Sequence, residues 1–136
     1  MKCETVYKVF SDIPTITTER LLLRRMRVGD CYDMYEYASD PSVTRFLTWS
    51  PHPDVEYTKE YLQYIANHYK LGDFYDLSVI LREQNKMIGT CGFTRFHMNH
   101  DCGEVGYVIN PAYRGRGIAC EAVRMVLRFG LSELGL

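Results

Sequence analysis

The sequence has 136 residues, of which 46% are hydrophobic and 24% are charged, so it can bury one sizeable core. We therefore expect a single domain over residues 1–136. The formal net charge is −1, and acidic and basic residues are interleaved along the chain, which argues against nucleic acid or an anionic membrane as a partner.

Cysteine usage and apolar runs bear on the compartment and on metal binding. The five cysteines are odd in number and show neither CxxC spacing nor an accompanying histidine pattern, which argues against a disulfide framework or a zinc site. No stretch approaches the roughly 20 apolar residues of a membrane span, and the N-terminus lacks the apolar region of a signal peptide. These features predict a cytoplasmic protein with no metal cofactor and no membrane partner.

The first elements are predicted to be a strand followed by helices. Residues 20–26 form a short apolar run that predicts the first strand. Asp30 is then expected to cap a helix that ends before Pro41, because the residue preceding a proline is pushed away from helical angles. Ser42 is expected to cap a short second helix.

A loop and a long helix follow. Residues 49–53 contain two prolines and are predicted to be irregular. Asp54 is expected to cap the long helix, which should end near Gly72.

The next part of the sequence predicts a meander of strands. Residues 75–82 and 87–96 are β-rich and are joined by a short polar loop at 83–86. A third strand at 103–109 is expected to pair antiparallel with the second across the loop at 98–101.

The last segment is a glycine-containing turn that leads into an amphipathic helix. Residues 114–119 read Arg-Gly-Arg-Gly-Ile-Ala, and Glu121, Arg124 and Arg128 are expected on the solvent side of the helix that follows. The apolar residues predicted to form its buried face are at positions 119, 122, 123, 126, 127, 131 and 134. Leu136 is expected to begin another strand.

The turn has the chemistry of an anion site. A helix begins with unpaired backbone N–H groups and the positive end of its dipole. Gly115 and Gly117 let the backbone approach a phosphate closely, and Arg114 and Arg116 add positive charge. A pyrophosphate is the ligand that fits this turn best. The alternative is that the turn is only a structural connection between strand and helix and that its arginines point to solvent. The spacing is neither GxGxxG nor GxxxxGK[ST], which argues against a dinucleotide or P-loop site.

Residues 113–122 resemble the [Q/R]-x-x-G-x-[G/A] signature of the GNAT N-acetyltransferases, in the variant followed by Glu-Ala that is typical of RimL-like members. Residues 18–24, 40–49 and 104–107 resemble the opening strand, the helix 1–2 region and the central E-x-G-Y strand of that group, in the same order. The resemblance covers residues 15–136.

This resemblance implies an α+β fold, with a mostly antiparallel mixed sheet flanked by helices. It implies transfer of an acetyl group from acetyl-coenzyme A to a primary amine, in RimL-like proteins a protein N-terminal α-amine, by direct attack on the thioester. Backbone amides of the turn would cradle the pyrophosphate, and the end of the preceding strand would line the pantetheine arm. The residues so implied are Arg114, Gly115, Arg116, Gly117, Ile118 and Ala119 for the pyrophosphate, and Val108, Ile109 and Asn110 for pantetheine.

Glu104 is the candidate catalytic residue. The resemblance implies a carboxylate near the acceptor at this position, where it could remove the proton of the amine directly or through water. The alternative is a strand carboxylate that pairs with a neighbouring arginine.

GNAT proteins normally continue with further strands after the pyrophosphate-binding helix, so the fold is expected to be truncated there. An uncovered sheet edge would favour a homodimer. Two other functions stay open: a non-catalytic coenzyme-A-binding module, and an acetyltransferase for small amines such as polyamines or aminoglycosides.

Overall fold

The computed structural model of the protein describes residues 3–13, 15–45, 47 and 49–136, with the side chains of Cys3 and Glu4 left out. Phe46 and Thr48, within the segment that resembles the helix 1–2 region, lie outside the described residues. The elements in chain order are α1 (Cys3–Ser11), β1 (Ile16–Thr17), β2 (Leu21–Arg24), α2 (Cys31–Ala38), α3 (Pro41–Thr44), α4 (Val55–Leu71), β3 (Asp76–Leu81), β4 (Lys86–His97), β5 (Cys102–Ile109) and α5 (Ile118–Glu133).

The strands form one sheet in the order β1-β2-β3-β4-β5, and each neighbouring pair is antiparallel. This confirms the predicted meander and the antiparallel character of the sheet. Among the described residues β5 pairs only with β4, so its other edge carries no strand.

Helices cover both faces of the sheet, and each face has its own core. On one face α1 and α5 pack over alternate residues of the central strands, with Phe10 at the centre of an aromatic cluster. On the other face α2 and α4 pack over a second core that includes Tyr37 and Ile80. Helix α1 was not predicted from the sequence, although Val6 and Phe10 lie one helical turn apart and are both buried.

The β4–β5 hairpin contains a bulge. Phe93 lies opposite Val105 and Arg95 lies opposite Glu104, so Thr94 is an extra residue in β4. Because of this extra residue, Phe93 and Phe96 both pack on the α1/α5 side. Arg95 and Glu104 consequently share the opposite face.

Two of the predicted helix caps are wrong: Asp30 makes no capping hydrogen bond to α2, and α3 is capped by a residue other than Ser42. Asp30 precedes α2, but its carboxylate makes no cap and instead accepts two hydrogen bonds from the Arg24 guanidinium, at 2.8 and 2.9 Å. The cap of α3 is Asp40, whose side chain accepts from the amide of Ser42, so Ser42 is not the cap. The Asp54 cap and the end of α4 at Gly72 are confirmed.

The predicted buried face of α5 is also partly wrong. Leu127 and Leu131 are exposed, because the helix turns its 118, 122, 126 and 129 positions to the sheet. The Leu136 amide bonds to the Gly130 carbonyl at 3.4 Å, beside the end of α5.

Candidate functional site

The connection from β5 to α5 is a tight turn with two left-handed glycines. Gly115 has φ +78° and Gly117, the residue before the helix, has φ +72°. The first hydrogen bond of α5 runs from the Glu121 amide to the Gly117 carbonyl at 3.1 Å. The amides at positions 118–120 therefore precede the helical ladder and face the mouth of the turn, where the helix dipole is positive.

Side chains from the start of the sheet hold this turn in place. Arg20 donates to the Arg116 carbonyl at 2.7 Å and to the Glu121 carboxylate at 2.8 Å, and Thr18 donates to the same carboxylate at 2.5 Å. Burial acts to raise the pKa of Glu121, but the hydrogen bonds from Thr18 and Arg20 outweigh it and leave the pKa lowered. Glu121 is thus not a free solvent-facing residue, and its charge is neutralised beside the turn.

The Tyr113 ring contacts two cationic side chains at the mouth of the turn. The Lys86 ammonium and the Arg116 guanidinium lie 5.5 and 5.3 Å from the centre of its ring. Its hydroxyl donates to Gln84 at 2.8 Å. The Lys86 ammonium is also paired with the Glu36 carboxylate at 2.9 Å, so of the two cations Arg116 is the one that adds charge to the turn.

The hydrogen-bond pattern of β5 decides which backbone groups are available at the sheet edge. The Asn110 amide donates to the Ile88 carbonyl of β4 at 2.7 Å. In an antiparallel ladder alternate residues point to opposite sides, so Val108 also bonds to β4. The amides and carbonyls of Tyr107 and Ile109 face the unpaired edge.

A groove runs from the turn along this edge. It encloses about 620 Å³ and is open to solvent on one side. Its lining comprises Val43, Leu47, Tyr107, Val108, Ile109, Tyr113, Arg114, Gly115, Gly117, Ile118, Ala119 and Cys120. A side chain at Gly115 would meet no atom within 4 Å, so the space in front of the turn is empty of protein. The groove fits an elongated ligand with a phosphate group at the turn.

Two of the predicted cofactor residues lie apart from this lining. Arg116 is exposed beside the Tyr113 ring. Asn110 is buried, and its side chain donates to Glu36 at 2.7 Å and accepts from the Ala112 amide at 3.0 Å. The Asn110 side chain thus shapes the loop that precedes the turn.

Glu104 lies on β5, further from the turn. Its carboxylate is 3.0 Å from Arg95 Nε and 3.3 Å from His97 Nε2, and its side chain is half exposed. This is the arginine pairing that the sequence left open as the alternative.

A second, smaller cavity of about 160 Å³ adjoins the groove on the α2/α4 face of the sheet. Its lining comprises Met26, Met34, Tyr37, Ala38, Trp49, His52, Tyr57, Tyr61, Asp76, Thr90 and Val108. Asp76 Oδ1 and the Tyr37 hydroxyl are buried there, and neither has a hydrogen-bond partner among the described residues. Val108 lines both cavities, so they share one wall.

The environment of Asp76 changes its ionisation. Burial raises the pKa of its carboxyl to about 7, although the Leu77 amide and the Thr90 hydroxyl act in the opposite direction. Asp76 was not among the site residues predicted from the sequence. The available signal was an acidic residue at the start of an apolar strand, since aspartate is depleted in strands.

No cluster of three or more histidine, cysteine, aspartate or glutamate side chains suited to a metal ion is present in the part of the chain that the structure describes. None of the described helices has the length and apolar character needed to cross a membrane.

Comparison with known proteins gives the family. Residues 20–136 match the acetyltransferase (GNAT) domain family. N-acetyltransferase p20 of Bacillus licheniformis is 34% identical over 122 residues, which are 90% of this chain and 68% of that protein. A GNAT-family acetyltransferase structure from Bacillus anthracis is 29% identical, with TM-score 0.76 over 90% of this chain and 69% of that one.

A ribosomal-protein-S5-alanine acetyltransferase from Vibrio fischeri has the same fold. It has TM-score 0.68 and 21% identity, and the match covers 90% of this chain and 70% of that one. The predicted fold class is therefore confirmed. This chain belongs to the GNAT acetyltransferase family, whose enzymes use acetyl-coenzyme A as cosubstrate.

Proposed function

We propose that this protein transfers the acetyl group of acetyl-coenzyme A to a protein N-terminal α-amine, as a RimL-like member of its family. The observation that carries the proposal is the groove that joins the glycine turn to the unpaired edge of β5. The likeness to the ribosomal-protein acetyltransferase from Vibrio fischeri supports the choice of acceptor. We further propose that residues 1–136 act as a single domain built on the one sheet.

The turn is the proposed pyrophosphate site. The amides at 118–120 can donate to phosphate oxygens, and Arg114 and Arg116 add charge at the same mouth. Gly115 and Gly117 keep the backbone clear of side chains where the phosphates would lie.

The edge of β5 is the proposed pantetheine site. An amide-containing arm can pair with a strand edge as a peptide strand does. Ile109 presents its backbone groups to that edge, whereas Val108 contributes its side chain to the wall of the groove. Asn110 supports the site through its contacts with Glu36 and Ala112.

Glu104 is retained as the catalytic candidate that the family resemblance implies. Its pairing with Arg95 and His97 leaves it exposed on the same face of the sheet as the small cavity. A base role requires the carboxylate to reach the acceptor nitrogen directly or through water.

Calorimetric titration with acetyl-coenzyme A tests the cofactor site. The wild-type chain should bind, and Gly117→Glu should weaken binding at least about tenfold, because its carboxylate would stand where the pyrophosphate is expected. Gly135→Glu is the matched control, since Gly135 has the same φ of +72° and lies at the far end of α5. Equal binding by both variants, or none by the wild type, would contradict the assignment.

A second experiment tests the acceptor. Peptides with free N-termini, polyamines and aminoglycosides are incubated with acetyl-coenzyme A, and acetylated products are measured by mass spectrometry. The proposal predicts product with the peptides. Product with polyamines or aminoglycosides alone would assign a small-molecule acetyltransferase, and cofactor binding without any product would assign a non-catalytic module.

A further inference from the structure

Two glycines lie beside Asp76 in the sheet. In the sheet register Asp76 lies opposite Gly92, which in turn lies opposite Gly106. A Cβ at Gly92 would clash with the Tyr75 carbonyl oxygen and with Asp76 Cα, and it would meet Asp76 Oδ1 at 2.9 Å, so only glycine fits beside the carboxylate. No side chain from Gly92 therefore stands against Asp76, and Val108 of β5 separates the cavity from the groove.

Asp76 faces neutral groups from every element packed around it. These are Tyr37 on α2, His52 in the loop before α4, Tyr57, Tyr61 and Tyr69 on α4, and Thr90 on β4. The Cys91 thiol lies on the opposite face of the sheet, in the α1/α5 core. Tyr69 donates to the Asp76 backbone carbonyl, not to the carboxylate. None of these described groups carries a positive charge at neutral pH, so the carboxylate lacks a cation that would compensate its burial.

The walls of the cavity suit a cation. Trp49, Tyr57 and Tyr61 present aromatic rings, and His52 stacks among them with ring centroids 4.8 to 5.6 Å away. Aromatic faces attract an ammonium group, most strongly where water is excluded. His52 Nδ1 is engaged with Thr58 at 2.7 Å, and burial lowers the pKa of its ring. The histidine therefore stays neutral beside a bound cation.

The size of the cavity limits what can enter. A volume of about 160 Å³ corresponds to roughly five water molecules at about 30 Å³ each. An amino group with a small substituent fits this space, such as the first residue of a peptide that begins with serine or alanine.

We propose that this cavity is the acceptor site, that it binds a primary ammonium with a small substituent, and that the Asp76 carboxylate removes its proton. The inference rests on the proposed acetyl transfer and adds the acceptor pocket and the proton acceptor. It assigns the proton to Asp76 rather than to Glu104, which lies outside the cavity lining and is paired with Arg95.

The step is balanced in protons and electrons. The ammonium passes one proton to Asp76, which leaves a neutral amine with a free electron pair. That pair forms the new C–N bond to the acetyl carbon, and the C–S bond breaks with its electrons on sulfur. The second proton on nitrogen goes to the sulfur to give the free thiol. Asp76 returns its proton to solvent when the product leaves.

The ionisation of Asp76 is suited to this role. A carboxyl with a pKa of about 7 is partly ionised at neutral pH and is a stronger base than an ordinary aspartate. Acceptor affinity should therefore rise as the pH rises through about 7, because only the carboxylate attracts the ammonium. For a peptide α-amine it should fall again above about pH 8, where the amine loses its charge.

The single tryptophan of the chain provides a direct readout, since Trp49 lines the cavity. The probes are the peptide Ser-Ala-Ala-Gly-Ala-amide, the same peptide with an acetylated N-terminus, butylamine and butanol. Trp49 fluorescence is titrated with each probe, with and without acetyl-coenzyme A. The two charged probes should bind at least tenfold more tightly than their uncharged partners. Comparing the peptide with butylamine shows whether the site prefers the N-terminus of a protein or a small amine as the acceptor.

The variants Asp76→Asn and Tyr37→Phe remove the two unpartnered groups in turn, Glu104→Gln removes the competing carboxylate, and Glu60→Gln on the exposed side of α4 is the control. Asp76→Asn should abolish the preference for charged probes and the pH dependence near 7, while its calorimetric affinity for acetyl-coenzyme A stays within about twofold. Tyr37→Phe, which keeps the shape of the ring, should weaken the charged probes severalfold. Glu60→Gln should bind all probes like the wild type, and Glu104→Gln should keep the preference for charged probes.

The outcomes separate the two proposals. If acetyl-coenzyme A binds but Trp49 fluorescence shows no tighter binding of the charged probes, the acceptor site is overturned and the proposed function stands. A charge preference that survives in Asp76→Asn, or is lost in Glu104→Gln instead, would overturn the role of Asp76. A charge preference without cofactor binding would overturn acetyl transfer, and with it the acceptor role of the cavity.

Discussion

The Asp76 carboxyl lies where its ionised form destabilises the fold. Burial raises its pKa to about 7 from an ordinary 3.8, so the folded chain holds a proton that the unfolded chain has lost between these pH values. Because the folded state binds more protons, the free energy of unfolding falls as the pH rises from about 4 to about 7. A site that gains reactivity from a buried carboxyl loses stability in the same pH range.

The variant Asp76→Asn should therefore be more stable than the wild type at about pH 8 and close to it at about pH 4. The gain at the higher pH has an upper bound of about 4 kcal/mol, from the shift of about three units. Urea unfolding at the two pH values measures it. Glu104→Gln should show no comparable difference between them, and a variant that is equally destabilised at both would contradict the burial argument.

Individual site residues differ in how well the sequence predicts them. Gly115 and Gly117 could be identified because a left-handed turn before a helix requires glycine, and both have positive φ. Asp76 could not, because its role depends on α2, α4 and β5 meeting around it, which no local pattern encodes. The pairing of Arg24 with Asp30 replaced a predicted cap for a different reason: Arg24 ends β2 only six residues earlier, and its guanidinium takes the carboxylate that would have capped α2.

At the scale of elements, α4 connects the fold to the small cavity. It carries Tyr57 and Tyr61, and its first turn is fixed by Asp54, which accepts from the Tyr57 amide at 2.8 Å. The cap therefore stabilises the helix and also positions the backbone that bears one cavity wall.

Replacement of this cap gives a prediction for the element. Asp54→Ala should lower the free energy of unfolding by about 1 kcal/mol, because a first-turn amide loses its partner. Asp54→Ser should keep most of the stability, and Glu60→Ala on the exposed side of the same helix should change it by less than about 0.5 kcal/mol. Thermal and urea unfolding provide the comparison. No loss in Asp54→Ala would show that the cap is not needed.

Elements with strong local sequence signals were predicted correctly, whereas features that depend on packing between elements were not. The hairpins of β3, β4 and β5 follow from β-rich runs joined by short polar loops. The buried side of α5 could not be predicted fully, because Leu127 and Leu131 continue the apolar pattern beyond the part of the helix that contacts the sheet. Helix α1 was missed because it has only nine residues, which is too short for its apolar periodicity to be distinctive.

At the scale of the molecule, the outer edge of β5 carries unpaired backbone groups among the described residues. An edge of this kind can pair with a second copy or with a ligand arm. We expect self-association through this edge, and we expect acetyl-coenzyme A to oppose it because both would occupy the same backbone groups.

Sedimentation velocity over a range of protein concentrations tests this expectation. The mass should rise from 15.9 kDa toward twice that value and return toward the monomer when acetyl-coenzyme A is added. Gly117→Glu should dimerise like the wild type but should no longer respond to the cofactor. A monomer at every concentration would contradict the dimer.

The bulge at Thr94 lets β4 carry one extra residue without changing the faces of its neighbours. Deleting this residue would leave an uninterrupted ladder in which Arg95 still lies opposite Glu104 and Phe96 still lies opposite Gly103. A second inserted residue would instead exchange the faces of the residues that follow. Phe96 would leave its aromatic neighbours, and Arg95 would turn into the apolar core beside α1. The hairpin should therefore tolerate loss of the bulge better than a further insertion.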